Sequence, residues 1–183
     1  KFGIGKPTGI DLQGEASPKL RKKGTWNIVD LATASFGQGV AVTPIQIVRA
    51  VRAIANDGIL VTPRIVTTTQ TEENVRIISR EAADEITAMM AEAAKNGEAK
   101  WTNLRGFKVA GKTGTAQIPI SGHYDAEKTN ASFIGFAPYD KPKFVMLVTL
   151  REPQSSQWAS ETAAPLWYSV AKDIFPYLGI HPE

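Results

Sequence analysis

The feature that most constrains the fold of this chain is a change of hydrophobic period in its second half. Residues 106–118 alternate between apolar and polar side chains, as a strand does, and two shorter apolar segments follow at 131–137 and 143–150. An amphipathic helical stripe over 163–175 comes next. Strands joined by a short turn pair antiparallel, and a helix after such a sheet can bury its stripe on one sheet face. The sequence therefore predicts an α+β fold: an antiparallel sheet with flanking helices, including a C-terminal helix packed on the sheet.

Prolines set the expected boundaries of these elements. The segment 138–142 begins and ends with proline and predicts a hairpin turn between the second and third strands. The third strand is the most apolar of the three, so we expect it to be buried on both faces. Pro176 is expected to end the last helix because proline has no backbone N–H to donate. The apolar stripe of that helix is expected to comprise Leu166, Trp167, Val170, Ala171 and Ile174.

Capping signals predict helices before the sheet. The predicted helices span 28–34, 44–56 and 80–95, and a strand pair is predicted at 59–61 and 64–69. Thr43 can cap the second helix, with Pro44 at its first position and Gln46 completing a capping box. Ser79 can cap the third helix. The apolar side of the third helix is expected to comprise Ala82, Ile86, Met89, Met90 and Ala93.

The composition excludes several kinds of function. The 183 residues include no cysteine, so the chain has no disulfide, no thiolate metal ligand and no cysteine nucleophile. Only two histidines are present, which argues against a histidine-rich metal site, and no metal or cofactor is expected. The net charge is +3, and the densest basic cluster, at 19–23, has no interleaved aromatic residues. A solvated loop is therefore favoured over a phosphate-binding patch, and no nucleic acid partner is expected.

The most informative stretch, residues 106–115, can be interpreted in two ways. As a bare pattern, Gly106 to Thr113 matches the G-x-x-x-x-G-K-T sequence of a phosphate-binding P-loop. A P-loop follows a strand and opens a helix. Here the four intervening residues alternate like a strand, and the residues after Thr113, including Gly114 and Pro119, are poor for starting a helix. The interpretation of the whole stretch as a strand is therefore favoured over a nucleotide site.

In the strand interpretation, Thr113 and Thr115 present two hydroxyls on one face, because side chains at i and i+2 share a face. Two hydroxyl donors side by side can bind a carboxylate. Lys112 would point to the opposite face, towards whatever packs behind the strand, and Gly114 would let a ligand backbone approach closely. An ordinary edge strand, with threonine chosen for its β propensity, remains an alternative on these residues alone.

Segments along nearly the whole chain resemble class B penicillin-binding proteins, in that family's order. Lys112-Thr113-Gly114 resembles the family's third catalytic motif. The other resembling segments are FGIGKPTGIDLQGE at 2–15, SFGQGVAVTPIQ at 35–46, ASFIGFAP at 131–138, AAP at 163–165 and YLGI at 177–180. Division-type and spore-cortex members are more similar than the elongation type. The resemblance implies a partial β-lactamase/transpeptidase-like fold and a monofunctional peptidoglycan DD-transpeptidase, which cross-links cell-wall stem peptides.

The resemblance also implies roles for residues of the third motif. In that family an acyl-enzyme forms on the serine of a Ser-x-x-Lys motif. Lys112 would supply positive charge beside the hydroxyls, and Thr113 and Thr115 would hold the substrate's terminal carboxylate. The backbone N–H of Thr115 would be one oxyanion-hole donor. Lys112 and Thr115 are thus the candidate catalytic residues. The candidate substrate-binding residues are Thr113, Gly114 and Thr115.

Two of the family's three motifs are absent from this sequence. Ser-x-Asn does not occur, and the one Ser-x-x-Lys match, Ser169 to Lys172, follows the third motif in a packing helix and is interpreted as chance. We therefore expect residues 1–183 to be the C-terminal portion of a single transpeptidase domain, inactive alone because the nucleophile is missing. The alternative is a non-catalytic module that binds a peptide carboxylate or docks on proteins of the division complex.

The resemblance implies partners and a location as well. The partners would be peptidoglycan stem peptides, β-lactams, the missing N-terminal part of the same domain and membrane proteins of the division machinery. The location would be the extracytoplasmic face of the bacterial plasma membrane, with an anchor upstream.

Residues 119–130 would rim the cleft, and His123 is interpreted as a solvated residue rather than a catalytic base. Trp158 is expected to be buried, since an exposed tryptophan there would indicate a partner contact.

Overall fold

A computed structural model of the chain describes residues 1–67, 74–120 and 123–183. The chain divides into two compact units, Lys1–Ala83 and Asp84–Glu183. The helices of the described residues are α1 (Ile28–Ser35), α2 (Pro44–Ala55), α3 (Arg80–Asn96) and α4 (Ala163–Tyr177), with a 3-10 turn at Lys100–Thr102. The strands are β1 (Ile59–Leu60), β2 (Val75–Arg76), β3 (Ala110–Ile120), β4 (His123–Ala137) and β5 (Phe144–Arg151). Antiparallel sheets together with a C-terminal helix confirm the predicted α+β class.

The predicted capping box forms at the start of α2. The Thr43 hydroxyl accepts a hydrogen bond from the Gln46 backbone N–H at 3.3 Å, and the Gln46 side-chain oxygen accepts from the Thr43 N–H at 3.0 Å. These bonds satisfy backbone donors that have no partner inside the helix. The Gln46 side chain is buried, and its amide nitrogen donates to the Lys6 carbonyl at 2.7 Å. The cap therefore also connects α2 to the first residues of the same unit.

The predicted pairing of 59–61 with 64–69 is wrong. β1 pairs antiparallel with β2 instead, and the described part of the second segment forms no strand. The last two residues of that segment lie outside the described residues. The physical reason is distant in sequence: the Asp11 carboxylate accepts the backbone N–H groups of Ile65 and Val66 at 2.7 and 2.9 Å. Those two donors are therefore already used and cannot serve a β ladder.

The apolar core of the first unit is small. Its buried residues are Ala53, Leu60 and Ile77, with Phe2 packed against them. α1 confirms the helix predicted near 28–34 but buries none of its residues. Long-range polar contacts such as those of Gln46 and Asp11 are therefore an important part of what holds this unit together.

α3 confirms the helix predicted over 80–95 but not all of its predicted apolar side. The Ser79 hydroxyl caps the helix by accepting the Ala82 N–H at 3.2 Å. Met89 is 67% exposed, whereas Ala83 and Ala94 are buried. Ala83 and Ala94 lie about three turns apart and so share a helix face. The fully buried positions are therefore small side chains that allow close packing, whereas Met90 is partly buried and Met89 lies in solvent.

The second unit is built on a three-stranded antiparallel sheet in the order β3-β4-β5, with the predicted turn at 138–142. β3 begins at Ala110 rather than at 106, because Gly106 adopts φ of +83° in a turn. β4 begins at His123, earlier than the predicted start at 131. Strand pairing uses backbone groups, so polar residues extended β4 beyond the apolar run that had marked it.

α4 packs on this sheet, as predicted. Trp167 is fully buried against Phe133 of β4, with the ring centroids 5.3 Å apart, and its indole N–H donates to the Met146 carbonyl of β5 at 2.8 Å. The predicted apolar stripe is wrong at Leu166 and Val170, which are 43% and 38% exposed. The buried residues of α4 are Ala163, Ala164, Trp167, Tyr168, Ala171 and Phe175. Large rings separated by alanines fill the space against the sheet, which turns the aliphatic side chains outward.

The predicted end of α4 at Pro176 is also wrong, since the helix continues to Tyr177. Proline removes one backbone donor from a helix. Here the loss is local, because the Leu178 N–H donates to the Ile174 carbonyl at 2.9 Å and restores the helical pattern beyond the proline.

β5 is not buried on both faces, contrary to its apolar sequence. Each of its residues is at least partly exposed. β5 lies at the edge of the described sheet and pairs there with β4 alone. An edge position leaves one side of a strand open, so a continuous apolar run does not by itself establish a central strand.

Candidate active site

The candidate site lies in the middle of β3, an edge strand of the described sheet. Thr113 lies opposite Phe133 and Thr115 opposite Ala131, and both of these β4 residues are buried. Because side chains two residues apart share a face, the two threonines lie side by side on the face of these core residues. Both threonines are half-buried. The hydroxyl pair is therefore held by packing without being sealed inside it.

The Gly-Lys-Thr sequence is not a P-loop. A P-loop would turn into a helix directly after Thr113, but β3 continues to Ile120. Gly111, the last glycine of the pattern, lies under the ring of Phe133, where an added Cβ would be 2.5 Å from a ring carbon. Glycine is needed at this position to admit an aromatic ring.

The Lys112 ammonium lies beside Thr113 rather than behind the strand. Lys112 is exposed, and its Nζ donates to the carbonyl oxygen and to the hydroxyl Oγ1 of Thr113, both at 3.1 Å. The prediction that Lys112 reaches the elements behind β3 is therefore wrong. Its four-carbon stem is long enough to return to the neighbouring residue. Positive charge is thus brought to one of the two hydroxyls that could bind a carboxylate.

The Thr115 hydroxyl is fixed by the chain that precedes α4. Its Oγ1 accepts the backbone N–H of Ala159 at 3.1 Å, and Ala159 is fully buried. A hydroxyl that accepts one hydrogen bond keeps its own proton for another acceptor. Thr115 therefore combines a fixed position with an available donor.

Glu98 joins the site although the sequence did not select it. The Thr113 hydroxyl donates to Glu98 Oε2 at 3.4 Å. Glu98 follows the end of α3, and Gly97 permits the turn, since a Cβ at Gly97 would collide with the Ala93 carbonyl oxygen. The Asn96-Gly97 helix stop is the one sequence signal that the chain turns here. It does not indicate that the next side chain reaches β3.

Gly114 lies on the opposite face of β3 from the threonines. It pairs with Ser132 of β4, whose hydroxyl donates to the Gly114 carbonyl at 3.2 Å. A Cβ at Gly114 would lie 3.3 Å from that hydroxyl oxygen. Glycine therefore keeps this bond uncrowded and leaves the strand surface open to approach.

Trp158 is 53% exposed, so the expectation that it is buried is wrong. Its backbone N–H donates to the Ser156 hydroxyl at 3.2 Å, and its backbone carbonyl accepts from the Thr162 hydroxyl at 2.7 Å. These bonds fix the backbone before α4 while the ring remains in solvent. Trp158 directly precedes Ala159, so an exposed aromatic ring lies one residue from the contact that holds Thr115.

The segment 119–130 is mostly strand. Pro119 and Ile120 end β3, and His123 pairs with Ile120 at the start of β4. Ser121, Gly122 and the side chain of His123 lie outside the described residues. A cleft-rim position for this segment, and a solvated His123 side chain, remain predictions.

Within the described ranges, no three side chains of His, Cys, Asp or Glu lie close enough together to hold a metal ion. No described helix is both long and apolar enough to cross a bilayer. The groups that the fold gathers at β3 are one ammonium, one carboxylate and two hydroxyls, from Lys112, Glu98, Thr113 and Thr115.

Comparison with known sequences places this arrangement in a family. Residues 1–175 match the family model described as the penicillin-binding protein transpeptidase domain. Stage V sporulation protein D of Bacillus subtilis is 38% identical over 195 residues, which cover 100% of this chain and 30% of that protein. Peptidoglycan D,D-transpeptidase FtsI of Buchnera aphidicola is 32% identical over 192 residues, covering 100% of this chain and 33% of that protein.

Solved structures with a similar fold are also penicillin-binding proteins. Penicillin-binding protein 3 from Mycobacterium tuberculosis, complexed with ampicillin, gives a TM-score of 0.90 at 28% identity over 100% of this chain and 45% of that one. The transpeptidase domain of penicillin-binding protein 3 from Burkholderia pseudomallei gives 0.89 at 30% identity, over 100% and 56%.

The fold and the Lys-Thr-Gly-Thr edge strand define a protein of the penicillin-binding class. The chain belongs to the penicillin-binding protein transpeptidase domain family, as the match over residues 1–175 establishes. Stage V sporulation protein D and FtsI confirm the resemblance to class B penicillin-binding proteins. The chain spans about 30% of the length of these two relatives.

Proposed function

We propose that residues 1–183 are the C-terminal portion of a peptidoglycan DD-transpeptidase domain, to which they contribute the substrate-binding strand. The domain would cross-link cell-wall stem peptides through an acyl-serine intermediate. The observation that carries this proposal is the Lys112 ammonium 3.1 Å from the Thr113 hydroxyl on an edge strand, with the Thr115 hydroxyl on the same face. An ammonium beside one of two neighbouring hydroxyls matches the charge and hydrogen-bonding capacity of a peptide carboxylate.

Each residue of the strand has a distinct proposed role. Thr113 and Thr115 would donate their hydroxyl protons to the terminal carboxylate of the stem peptide, and Lys112 would attract that carboxylate. Gly114 would keep the strand surface open to the substrate backbone. The backbone N–H of Thr115 would donate to the oxyanion of the tetrahedral intermediate, where one donor contributes about 3–4 kcal/mol of transition-state stabilisation.

The nucleophile would come from a Ser-x-x-Lys motif outside this chain. The one such match here, Ser169 to Lys172, lies on the exposed side of α4, whereas Trp167 and Ala171 of the same helix face the core. Ser169 therefore points away from the packed face of α4 and is not proposed as the attacking serine. It follows that the 183-residue chain alone would not form an acyl-enzyme.

The partners and location follow from this role. Stem peptides would be the substrates and β-lactams the inhibitors, by analogy with the Mycobacterium tuberculosis relative, whose solved complexes contain ampicillin and aztreonam. The N-terminal part of the same domain and membrane proteins of the division machinery are further proposed partners. The proposed location is the extracytoplasmic face of the plasma membrane.

A covalent labelling experiment tests the proposal. The 183-residue chain and the full-length protein would each be incubated with a fluorescent penicillin. We expect a labelled band from the full-length protein alone, and we expect Lys112→Ala to slow its labelling by roughly 10- to 100-fold, because the charged partner of the ligand carboxylate is lost. Lys141→Ala, in the exposed turn before β5, is the matched control and should label like the wild type. No labelling of the full-length protein would favour the non-catalytic, carboxylate-binding or docking alternative.

A further inference from the structure

The hydrogen bonds at Thr113 have only one possible direction. The Lys112 ammonium can only donate, and it lies 3.1 Å from Thr113 Oγ1. A carboxylate can only accept, and Glu98 Oε2 lies 3.4 Å from the same hydroxyl. The Thr113 hydroxyl must therefore accept a hydrogen bond from Lys112 and donate its one hydrogen in a hydrogen bond to Glu98.

This direction matters because a hydroxyl has a single proton. While Glu98 accepts it, the Thr113 hydroxyl has no proton left for a second carboxylate. Thr115 differs, since it accepts from the Ala159 N–H and keeps its proton. One of the two hydroxyls proposed to bind substrate is thus already bound to a carboxylate of this chain, and the other is not.

We propose that Glu98 is a resident carboxylate that competes with the substrate carboxylate for Thr113. This inference rests on the proposed function of β3 as the carboxylate-binding strand. Glu98 adds negative charge next to the hydroxyl. It also accepts the one hydrogen bond that the hydroxyl can donate, which an incoming carboxylate would need. It acts as a specificity-determining residue, because an anionic ligand that binds the Thr113 hydroxyl must displace it, whereas a ligand that does not use Thr113 is unaffected.

The contact is suited to displacement. The Glu98 side chain is exposed and Thr113 is half-buried, and 3.4 Å is long for a hydrogen bond from a hydroxyl to a carboxylate. Interactions between exposed charged groups are weak and fall with added salt. Removing the Glu98 charge should therefore strengthen the binding of a carboxylate ligand by about 2- to 5-fold at low salt, and by less at high salt.

The test uses the full-length protein and two readouts. The first is the dissociation constant of N-acetyl-D-alanyl-D-alanine, which reports carboxylate binding without any covalent step. The second is the rate constant of acylation by benzylpenicillin. Glu98→Gln should lower the dissociation constant and raise the rate constant about 2- to 5-fold, and 1 M NaCl should reduce both effects. Glu85→Gln, an exposed glutamate of α3, is the matched control and should change neither value.

A second variant separates competition from positioning. If Glu98 orients Thr113 for the substrate, Glu98→Ala should weaken peptide binding while Glu98→Gln, which retains an acceptor oxygen, should not. Competition predicts tighter binding in both variants. Unchanged or weaker peptide binding in Glu98→Gln, with an unchanged melting temperature, would overturn the inference. Tighter binding without any acylation would uphold the role of Glu98 and instead reject the proposed transpeptidase function.

Discussion

At the scale of single residues, the two threonines of β3 have unequal structural duties. The Thr115 hydroxyl is the acceptor for the N–H of the fully buried Ala159, whereas the Thr113 hydroxyl contacts exposed partners. We expect Thr115→Val to lower the free energy of unfolding by about 1–3 kcal/mol, because it leaves that N–H without a partner. Thr113→Val keeps the same shape and should cost less than about 0.5 kcal/mol. Urea unfolding of both variants measures the difference, and equal costs would contradict this division of roles.

For Tyr168 we expect the opposite effect: removal of its hydroxyl should not lower the free energy of unfolding. Its hydroxyl is buried without a hydrogen-bond partner among the described residues, and burial raises the pKa of Tyr168 above its ordinary value of 10.0. We expect Tyr168→Phe to be as stable as the wild type or more stable, by up to about 3 kcal/mol, because an unsatisfied polar group is removed.

The pH dependence of that variant follows from the direction of the shift. A raised tyrosine pKa means that the unfolded chain ionises first, so the wild type should lose stability as the pH rises above 10.0. Tyr168→Phe should lose less over the same range. Denaturant titrations at pH 8 and pH 10.5 would measure this, with Tyr139→Phe, in the exposed turn after β4, as the control. A Phe variant with the same alkaline loss as the wild type would refute the argument.

At the scale of elements, α2 depends on its cap. The two bonds between Thr43 and Gln46 satisfy backbone and side-chain groups reciprocally at the helix start. We expect Thr43→Ala to cost about 1 kcal/mol, within the usual range of roughly 0.5–2 kcal/mol for a lost cap. Thr67→Ala, at an exposed position outside any helix or strand, should be nearly neutral. Thermal unfolding of the two variants checks the difference, and a neutral Thr43→Ala would mean that tertiary packing alone fixes this helix end.

The sequence could predict those features of the elements that depend on neighbouring residues. The α2 cap was predictable because all of its partners lie within four residues, and the strand character of β3 because alternation is local. The partner of β1 was not predictable. The backbone N–H groups of Ile65 and Val66 donate to the Asp11 carboxylate, which lies more than fifty residues away in sequence, so they cannot pair with β1.

The residues of the candidate site likewise fall into those that the sequence could predict and those that it could not. Lys112, Thr113 and Thr115 were selected from a contiguous motif, and their side-by-side placement follows from strand geometry. Glu98 was missed because its contact with Thr113 depends on how the turn after α3 meets the sheet edge. The ammonium position was missed because lysine has enough rotatable bonds to leave the face that its Cα sets.

At the scale of the whole molecule, the two units are stabilised by different interactions. The second unit has a large aromatic and alanine core around Phe133, Trp167 and Phe175. The core cluster of the first comprises only Ala53, Leu60 and Ile77 among the described residues, and this unit relies more on carboxylates that bridge its chain. Asp11 holds two backbone donors, and Glu15 holds the Thr8 N–H and hydroxyl at 2.6 Å each.

These carboxylates should make the first unit the more sensitive to acid. Hydrogen bonds from Ile65 and Val66 lower the pKa of Asp11 below its ordinary 3.8, and bonds from Thr8 lower the pKa of Glu15 below 4.5. A lowered carboxylate pKa adds stability above the unfolded value, and that stability is lost as the pH falls through the folded value. The loss should therefore occur below about pH 4.5, and mainly in residues 1–83.

Hydrogen exchange resolved by segment, and corrected for the intrinsic pH dependence of exchange, tests this expectation. Between pH 7 and pH 3, amides of α2 and β1 should lose protection while those of β4 and α4 keep it, because the aromatic core does not titrate in this range. Replacing both carboxylates (Asp11→Asn with Glu15→Gln) should reduce α2 protection already at pH 7 and remove most of the further loss in acid. Asp173→Asn, an exposed position on α4, should behave like the wild type. If both units lost protection equally in acid, or if the double variant matched the wild type at pH 7, the bridging carboxylates would not be what holds the first unit together.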